Sequence, residues 1–177
     1  MKTSTSRLPR WALVTLLVAG FTRLGAPGEA LPPYASLHRF EDFAVPNEAV
    51  KSPAIPRIEG REAKLYRTQI RRAARKSPDF AGHFRLARWG CGTCCQQFAV
   101  VDLRTGRISF PGFTVSCGVN PRDPVQKDPG IFYRADSRLL VVSGIRKEGQ
   151  ETGVWYYQWS SGRLVLLQAD LAARPPR

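Results

Sequence analysis

The chain has 177 residues and a formal net charge of +13 at pH 7, from 27 basic and 14 acidic side chains. This length fits a single domain with a hydrophobic core of its own. Beyond residues 1–30 no apolar run approaches the about 20 residues that a helix needs to cross a bilayer, so we expect no membrane-spanning helix in that part of the chain.

Residues 1–30 have the pattern of a cleaved secretory signal peptide. Lys2, Arg7 and Arg10 give it a basic start, an uncharged run follows over 11–21, and a small residue stands at position −1 of a cleavage site after Ala30. Cleavage would remove four basic residues and one acidic residue and leave a net charge of +10. We therefore expect an exported protein, periplasmic or secreted, that is still strongly basic.

The segment 31–60 contains five prolines, Pro32, Pro33, Pro46, Pro53 and Pro56. Proline fixes φ and lacks an amide donor, so long helices and central strands are disfavoured. We predict an extended arm that lays Tyr34, Phe40 and Phe43 on the domain.

A helical period follows over residues 61–76. Ala63, Tyr66, Ile70 and Ala73 fall on one face, which predicts an amphipathic helix that ends before Pro78. The opposite face carries a stripe of basic residues, Lys64, Arg67, Arg71 and Arg75. This basic stripe is either a solvated surface or a binding surface for polyanions.

From residue 83 onward the pattern is that of short strands separated by turns. The predicted strands are 83–89, 97–103 and 107–110 in a first meander, and 131–134, 139–143, 154–159 and 164–168 in a second. A loop over 111–130 separates the meanders, and a frayed tail follows at 173–177. The predicted fold is α+β, with one amphipathic helix packed on antiparallel sheet in a single β-rich domain over 61–172.

All four cysteines lie in the mature chain, and an even count in an exported protein predicts disulfides. A bond between the adjacent Cys94 and Cys95 would be strained. We prefer Cys91–Cys95 with Cys94–Cys117. The pairing Cys91–Cys94 with Cys95–Cys117 remains open.

The same cysteines suggest two kinds of chemistry. Together with His83 they could form a tetrahedral zinc site, but only one CxxC pair is present, so we predict no metal and no cofactor. Alternatively, Cys91 or Cys94 could be a nucleophile with His83 as its base. The CxxC lies between strands rather than at a helix N-terminus, where a thiol pKa would be lowered.

Two segments carry a resemblance to known proteins. Phe80-Ala-Gly-His-Phe84 and Trp89-Gly-Cys-Gly-Thr-Cys-Cys-Gln96 resemble a family of small exported bacterial proteins of unassigned activity. Residues 136–142 and 154–159 resemble the C-terminal half of that family, so the resemblance spans about 40–167. It implies a periplasmic or secreted β-rich domain and no particular reaction. In this family Cys91 and Cys95 match recurrent cysteines, whereas Cys94 stands at a position that is usually small.

The sequence is best interpreted as a non-enzymatic binding or interaction domain of the cell envelope. The aromatic residues expected to form its core or a recognition face are Phe84, Trp89, Trp155 and Tyr157. One alternative is a small periplasmic enzyme, hydrolytic or thiol-redox, that uses a cysteine of the 91–95 cluster with His83. The other is a cationic binder of polyanions through the basic stripe. The expected partner is an envelope protein or an anionic surface, not a nucleic acid.

Overall fold

The computed structural model describes residues 31, 35–117, 130–146 and 151–171. The predicted signal peptide and the predicted tail at 173–177 lie outside these residues. So do Tyr34 and residues 118–129 of the predicted loop.

The described residues contain a short 3-10 helix, two α-helices and eight strands. The 3-10 helix is Phe40–Phe43, and the α-helices are α1 (Gly60–Leu65) and α2 (Arg67–Ala74). The strands are β1 (Phe84–Gly92), β2 (Cys95–Asp102), β3 (Ile108–Ser109), β4 (Val115–Ser116), β5 (Gly130–Tyr133), β6 (Leu139–Arg146), β7 (Glu151–Ser160) and β8 (Arg163–Leu171).

All eight strands belong to one antiparallel sheet in the order β1-β2-β4-β6-β7-β8, with β3 beside β2 and β5 beside β6. The first three strands form one meander, and β5 to β8 form the second. The predicted fold class, with two meanders and a small helical part, is confirmed.

The two-residue strand β4 joins the meanders, and it lies inside the segment predicted as a loop. Val115 pairs with Gln96 of β2 and with Arg146 of β6, so β4 forms ladder hydrogen bonds on both of its edges. Gly144 permits this close approach, because a Cβ there would overlap the carbonyl oxygen of Ser116. The prediction of a continuous loop over 111–130 was therefore wrong at β4, which is too short to show a periodic pattern.

Side-chain alternation along the strands divides the core into layers. Leu86, Phe98 and Val100 of the first meander pack with Leu140 and Trp155 of the second, so the two meanders face each other across a central core. The opposite face of the first meander packs against the helices, and the opposite face of the second packs against the segment 35–43. Trp89, Trp155 and Tyr157 are buried and Phe84 is half-buried, so these predicted aromatic residues belong to the core.

The predicted helix over 61–76 is present as two short helices, which corrects the single helix expected from the period. Tyr66 leaves helical geometry at φ −102° and ψ 19°, and its ring stacks on Trp89 at 4.4 Å between centroids. The aromatic contact and the break occur at the same residue. Hydrophobic period alone carries no information on such a break.

Candidate functional site: the basic face of the helix layer

The four residues of the predicted basic stripe are all exposed. Lys64 lies in α1, Arg67 and Arg71 lie in α2, and Arg75 directly follows α2. Their positions are set by the opposite face, where Ala63, Ile70 and Ala74 are buried against the first meander. The stack of Tyr66 on Trp89 fixes the junction of the two helices. The Trp89 indole in turn donates a hydrogen bond to Gln97 Oε1 at 3.0 Å. The helices that carry the basic stripe are therefore held in place by their packing against the first meander.

The surrounding surface is more basic than the stripe alone. Residues 51–76 carry nine basic and two acidic side chains, and all eleven are exposed. The nine are Lys51, Arg57, Arg61, Lys64, Arg67, Arg71, Arg72, Arg75 and Lys76. Within the described part of the chain, none of them forms an ion pair with a carboxylate. We call this surface the basic face.

An apolar groove runs along the edge of the basic face, where the arm passes α2. Its volume is about 570 Å³, and it is lined by residues 53–56 of the arm, by Arg71 and Ala74 of α2, and by Arg75, which directly follows α2. Ile55 is 85% exposed and Leu65 is 68% exposed, so the basic face also presents two large aliphatic side chains. Sequence reasoning missed the groove, and the only local signal for it was the apolar Pro-Ala-Ile-Pro run at 53–56.

Backbone hydrogen bonds hold the arm in this position. Ala54 N–H donates to the carbonyl of Leu103 at 2.8 Å, and Arg57 N–H donates to the carbonyl of Gly106 at 2.8 Å. The β2–β3 turn thus anchors the part of the arm that lines the groove.

The four cysteines lie at the tip of the β1–β2 hairpin and on the residue after β4. Cys91 pairs with Cys95 and Cys94 pairs with Cys117, with Cα–Cα distances of 5.1 and 5.4 Å. This is the pairing preferred from the sequence. A nucleophilic thiol would require reduction of one of these bonds, because all four sulfurs are bonded.

The structure does not bring His83 together with Cys91 or Cys94. His83 directly precedes β1, whereas Cys91 lies near the far end of this strand, roughly 26 Å away at ~3.3 Å per strand residue. The two ring nitrogens of His83 lie instead 3.7 Å from Glu48 Oε2 and 3.7 Å from Asp102 Oδ1. Glu48 also pairs with Arg104, so His83 belongs to a charged network that ties the arm to the hairpin.

Asp79, which is isolated in sequence, makes a compact cluster in the structure. Its Oδ1 accepts the Leu86 N–H at 2.9 Å, and its Oδ2 faces Arg85 at 3.2 Å and the Tyr133 hydroxyl at 3.4 Å. Burial raises the pKa of Asp79 and also that of Tyr133. These contacts connect the segment before β1 to β5 across the central core, which is a structural role.

A membrane-spanning helix and a group of metal-binding side chains are both absent from the described residues. No helix there is long and apolar enough to cross a membrane. No group of three or more His, Cys, Asp or Glu residues there could hold a metal ion.

Comparisons with known proteins do not place this chain in a family. No family model matches the chain. No curated protein and no solved structure matches it either. The resemblance to a family of small exported bacterial proteins therefore stays a prediction.

Proposed function

We propose that this chain is an exported, non-enzymatic binding protein of the cell envelope, and that its basic face binds an anionic membrane surface. One observation carries the proposal, namely the nine exposed basic side chains of 51–76 that have no carboxylate partner among the described residues. Ion pairing within the protein would otherwise neutralise part of such a surface.

The aliphatic side chains favour a membrane over a polyanion free in solution. Ile55 and Leu65 protrude beside the arginines, and a lipid surface accepts both phosphate contacts and shallow insertion of apolar groups. A chain of sulfates or phosphates would use the charge and leave these side chains in water.

Export is supported by the disulfides and by the pattern of residues 1–30. Two disulfides are typical of an oxidising compartment such as the periplasm or the extracellular space. A non-enzymatic role is supported by the pairing of all four cysteines and by the distance between His83 and Cys91.

The test is vesicle co-sedimentation of the mature chain with phosphatidylglycerol-containing and pure phosphatidylcholine vesicles. Each Lys or Arg near an anionic surface is worth about 1 kcal/mol, so Arg71→Gln with Arg75→Gln should weaken binding about 30-fold. Arg39→Gln with Arg138→Gln is the matched control, since it removes the same charge from exposed positions on the second meander side.

The two double variants separate a defined face from net charge. The control should bind nearly as well as the unmodified protein. Equal weakening by both pairs, or equal binding to both kinds of vesicle, would refute the proposal. Binding to heparin but not to the anionic vesicles would also refute it, because the partner would then be a soluble polyanion.

A further inference from the structure

A second concave surface lies between the β3 edge of the first meander and the β7–β8 hairpin, and it shares no residue with the basic face. Its volume is about 250 Å³. The Ser109 hydroxyl donates to the carbonyl of Gly162 at 2.8 Å and ties the two sides together. The lining combines polar groups with six large apolar or aromatic side chains, Phe110, Phe113, Tyr157, Trp159, Leu164 and Leu166.

Two arginines, Arg146 and Arg163, line this cavity, and no acidic residue is among its described lining residues. The Arg146 guanidinium lies 5.7 Å from the centre of the Phe113 ring and 5.4 Å from that of Trp155. Its Nη1 donates to the Tyr157 hydroxyl at 2.6 Å. None of the carboxylates that the structure describes forms an ion pair with Arg146, and its Nε is buried without a hydrogen-bond partner.

The aromatic rings around the Arg146 guanidinium stabilise its positive charge only in part. Aromatic faces attract a guanidinium, but a partly buried charge loses hydration that only an anion replaces fully. The hydrogen bond from Arg146 orients the Tyr157 hydroxyl as an acceptor, which leaves the hydroxyl proton free to be donated. Burial raises the pKa of Tyr157, so that proton is present at neutral pH. Arg146 and Tyr157 thus form a pair of donors among the lining residues of the cavity.

The aromatic rings of Phe113 and Tyr157 limit the shape of a ligand that fits this cavity. Phe113 and Tyr157 stack with 5.4 Å between centroids and 18° between planes, so a planar ligand ring could extend this stack on an outer face. The volume is below the about 300 Å³ at which drug-sized cavities begin, so the body is limited to about one ring.

We propose that this cavity binds a small aromatic carboxylate, with its carboxylate on Arg146 and Tyr157 and its ring against that of Phe113. The planar guanidinium fork suits a carboxylate, and the aromatic side chains of the lining suit the ring. Inorganic phosphate could use the same arginines, but it has no ring to place against the aromatic side chains of the lining.

The test is an NMR titration of the ¹⁵N-labelled mature chain with benzoate, with the isosteric neutral benzamide, and with inorganic phosphate. Benzoate should give saturable shifts at the Trp159 indole and at Arg146 Nε. Benzamide should bind about tenfold more weakly or worse, because it lacks the charge. Equal binding of benzamide, or equal binding of phosphate at the same resonances, would overturn the proposal.

Two adjacent residues of β8 provide a matched pair of variants. Leu166 lines the cavity and Leu167 does not, while both are exposed leucines on the same edge strand. Leu166→Trp should fill the cavity and abolish benzoate binding, whereas Leu167→Trp should bind benzoate like the unmodified protein. Unchanged binding by Leu166→Trp would overturn the proposal.

Arg146→Gln tests the charge directly and should weaken benzoate binding about tenfold or more. If it does not fold, the leucine pair decides the matter, because both leucines are exposed side chains on β8 and their replacement leaves Arg146 in place. If Arg146→Gln folds and binds benzoate with unchanged affinity, the assignment of the carboxylate to Arg146 is wrong.

Discussion

Gly106 occupies the turn between β2 and β3, directly under the arm. Its φ is +75°, and a Cβ at this position would overlap the carbonyl oxygen of Ile55. Gly112 has the same φ of +75° but no atom within 4 Å of such a Cβ. The two glycines therefore share a left-handed backbone, whereas only Gly106 is buried and approached by the arm.

Gly106→Ala should destabilise the protein more than Gly112→Ala does. The left-handed conformation costs about 1–2 kcal/mol for a residue with a Cβ, and this applies to both variants. The overlap with Ile55 should add roughly 2 kcal/mol at Gly106 and displace the arm. Urea unfolding measures the difference, and limited proteolysis between residues 51 and 59 reports release of the arm. Equal losses in the two variants would contradict this account.

Arg134 joins a carboxylate nearby in the chain, that of Asp136, to a distant one, that of Glu41. Its Nε and Nη2 donate to the Asp136 carboxylate at 2.8 and 2.6 Å, and its Nη1 donates to Glu41 at 2.6 Å. Hydrogen bonding to Arg134 lowers the pKa of Asp136. The pKa of Glu41 is also lowered, chiefly by a backbone hydrogen bond and further by Arg134.

Arg134→Gln should reduce stability in a pH-dependent way. Carboxylates with a lowered folded-state pKa stabilise the fold above their unfolded pKa, near 4, and this contribution is lost as the pH falls through the folded pKa. Because both carboxylates are about half exposed, the loss at pH 7 should be only about 1 kcal/mol, and smaller at pH 2. Urea unfolding at both pH values tests this, with Arg138→Gln as the control. An equal loss at the two pH values would show that the ion pairs are not its source.

At the scale of elements, the weakest connection of the sheet is β4. It has only two residues, yet it is the strand through which β2 and β6 belong to one sheet. Cys94–Cys117 holds the end of β4 at the hairpin tip, and the Cys117 N–H donates to the Cys94 carbonyl at 2.9 Å. Cys91–Cys95 links only the two strands of the hairpin, and its cysteines are 4 residues apart in sequence. The cysteines of Cys94–Cys117 are 23 residues apart.

Removing the longer bond should cost more than removing the shorter one. Loop-closure entropy gives about 3.4 kcal/mol for Cys94→Ser with Cys117→Ser and about 1.9 kcal/mol for Cys91→Ser with Cys95→Ser. Denaturant unfolding measures the free energy of unfolding of the two double variants, each of which lacks one disulfide. Hydrogen exchange at Ile145 should rise only in the first variant, because Ile145 pairs with Ser116 of β4. The reverse order of stability would contradict this role of β4.

At the scale of the whole molecule, positive charge is concentrated on one layer. Nine basic and two acidic residues in 51–76 account for seven of the ten net positive charges expected after cleavage at Ala30. The helices carry much of this charge on the side of the first meander that faces away from the central core. The proposed membrane contact and the proposed carboxylate cavity are therefore separate surfaces.

Binding to anionic vesicles should weaken as salt is added. The Debye length falls from about 10 Å at 0.1 M to about 3 Å at 1 M, which screens exposed charges from lipid phosphates. Co-sedimentation over this salt range should show a steep loss for the unmodified protein and a shallower one for the Arg71/Arg75 double variant. Binding that does not depend on salt would indicate that Ile55 and Leu65, rather than the arginines, drive association.

Local periodicity predicted the elements of this protein well. Apolar residues at helical or alternating spacing placed the helix region and seven of the strands, because those patterns record which face of an element is buried. Exposure of Lys64, Arg67, Arg71 and Arg75 follows from the same pattern. The pattern could not show the break at Tyr66, since this depends on a contact with Trp89.

The sequence by itself determined the β-rich class, the two meanders, the basic stripe and the presence of cross-links. Tertiary structure decided which cysteines meet, how β4 joins the meanders, and where concave surfaces form. Cys91, Cys94 and Cys95 are close in the chain under any pairing, so only the path that brings Cys117 to Cys94 distinguishes the alternatives. The Arg146 cavity likewise draws on β2, β3, β6, β7 and β8. Residues from separate strands become neighbours only when the sheet folds over its core, and no local pattern records that event.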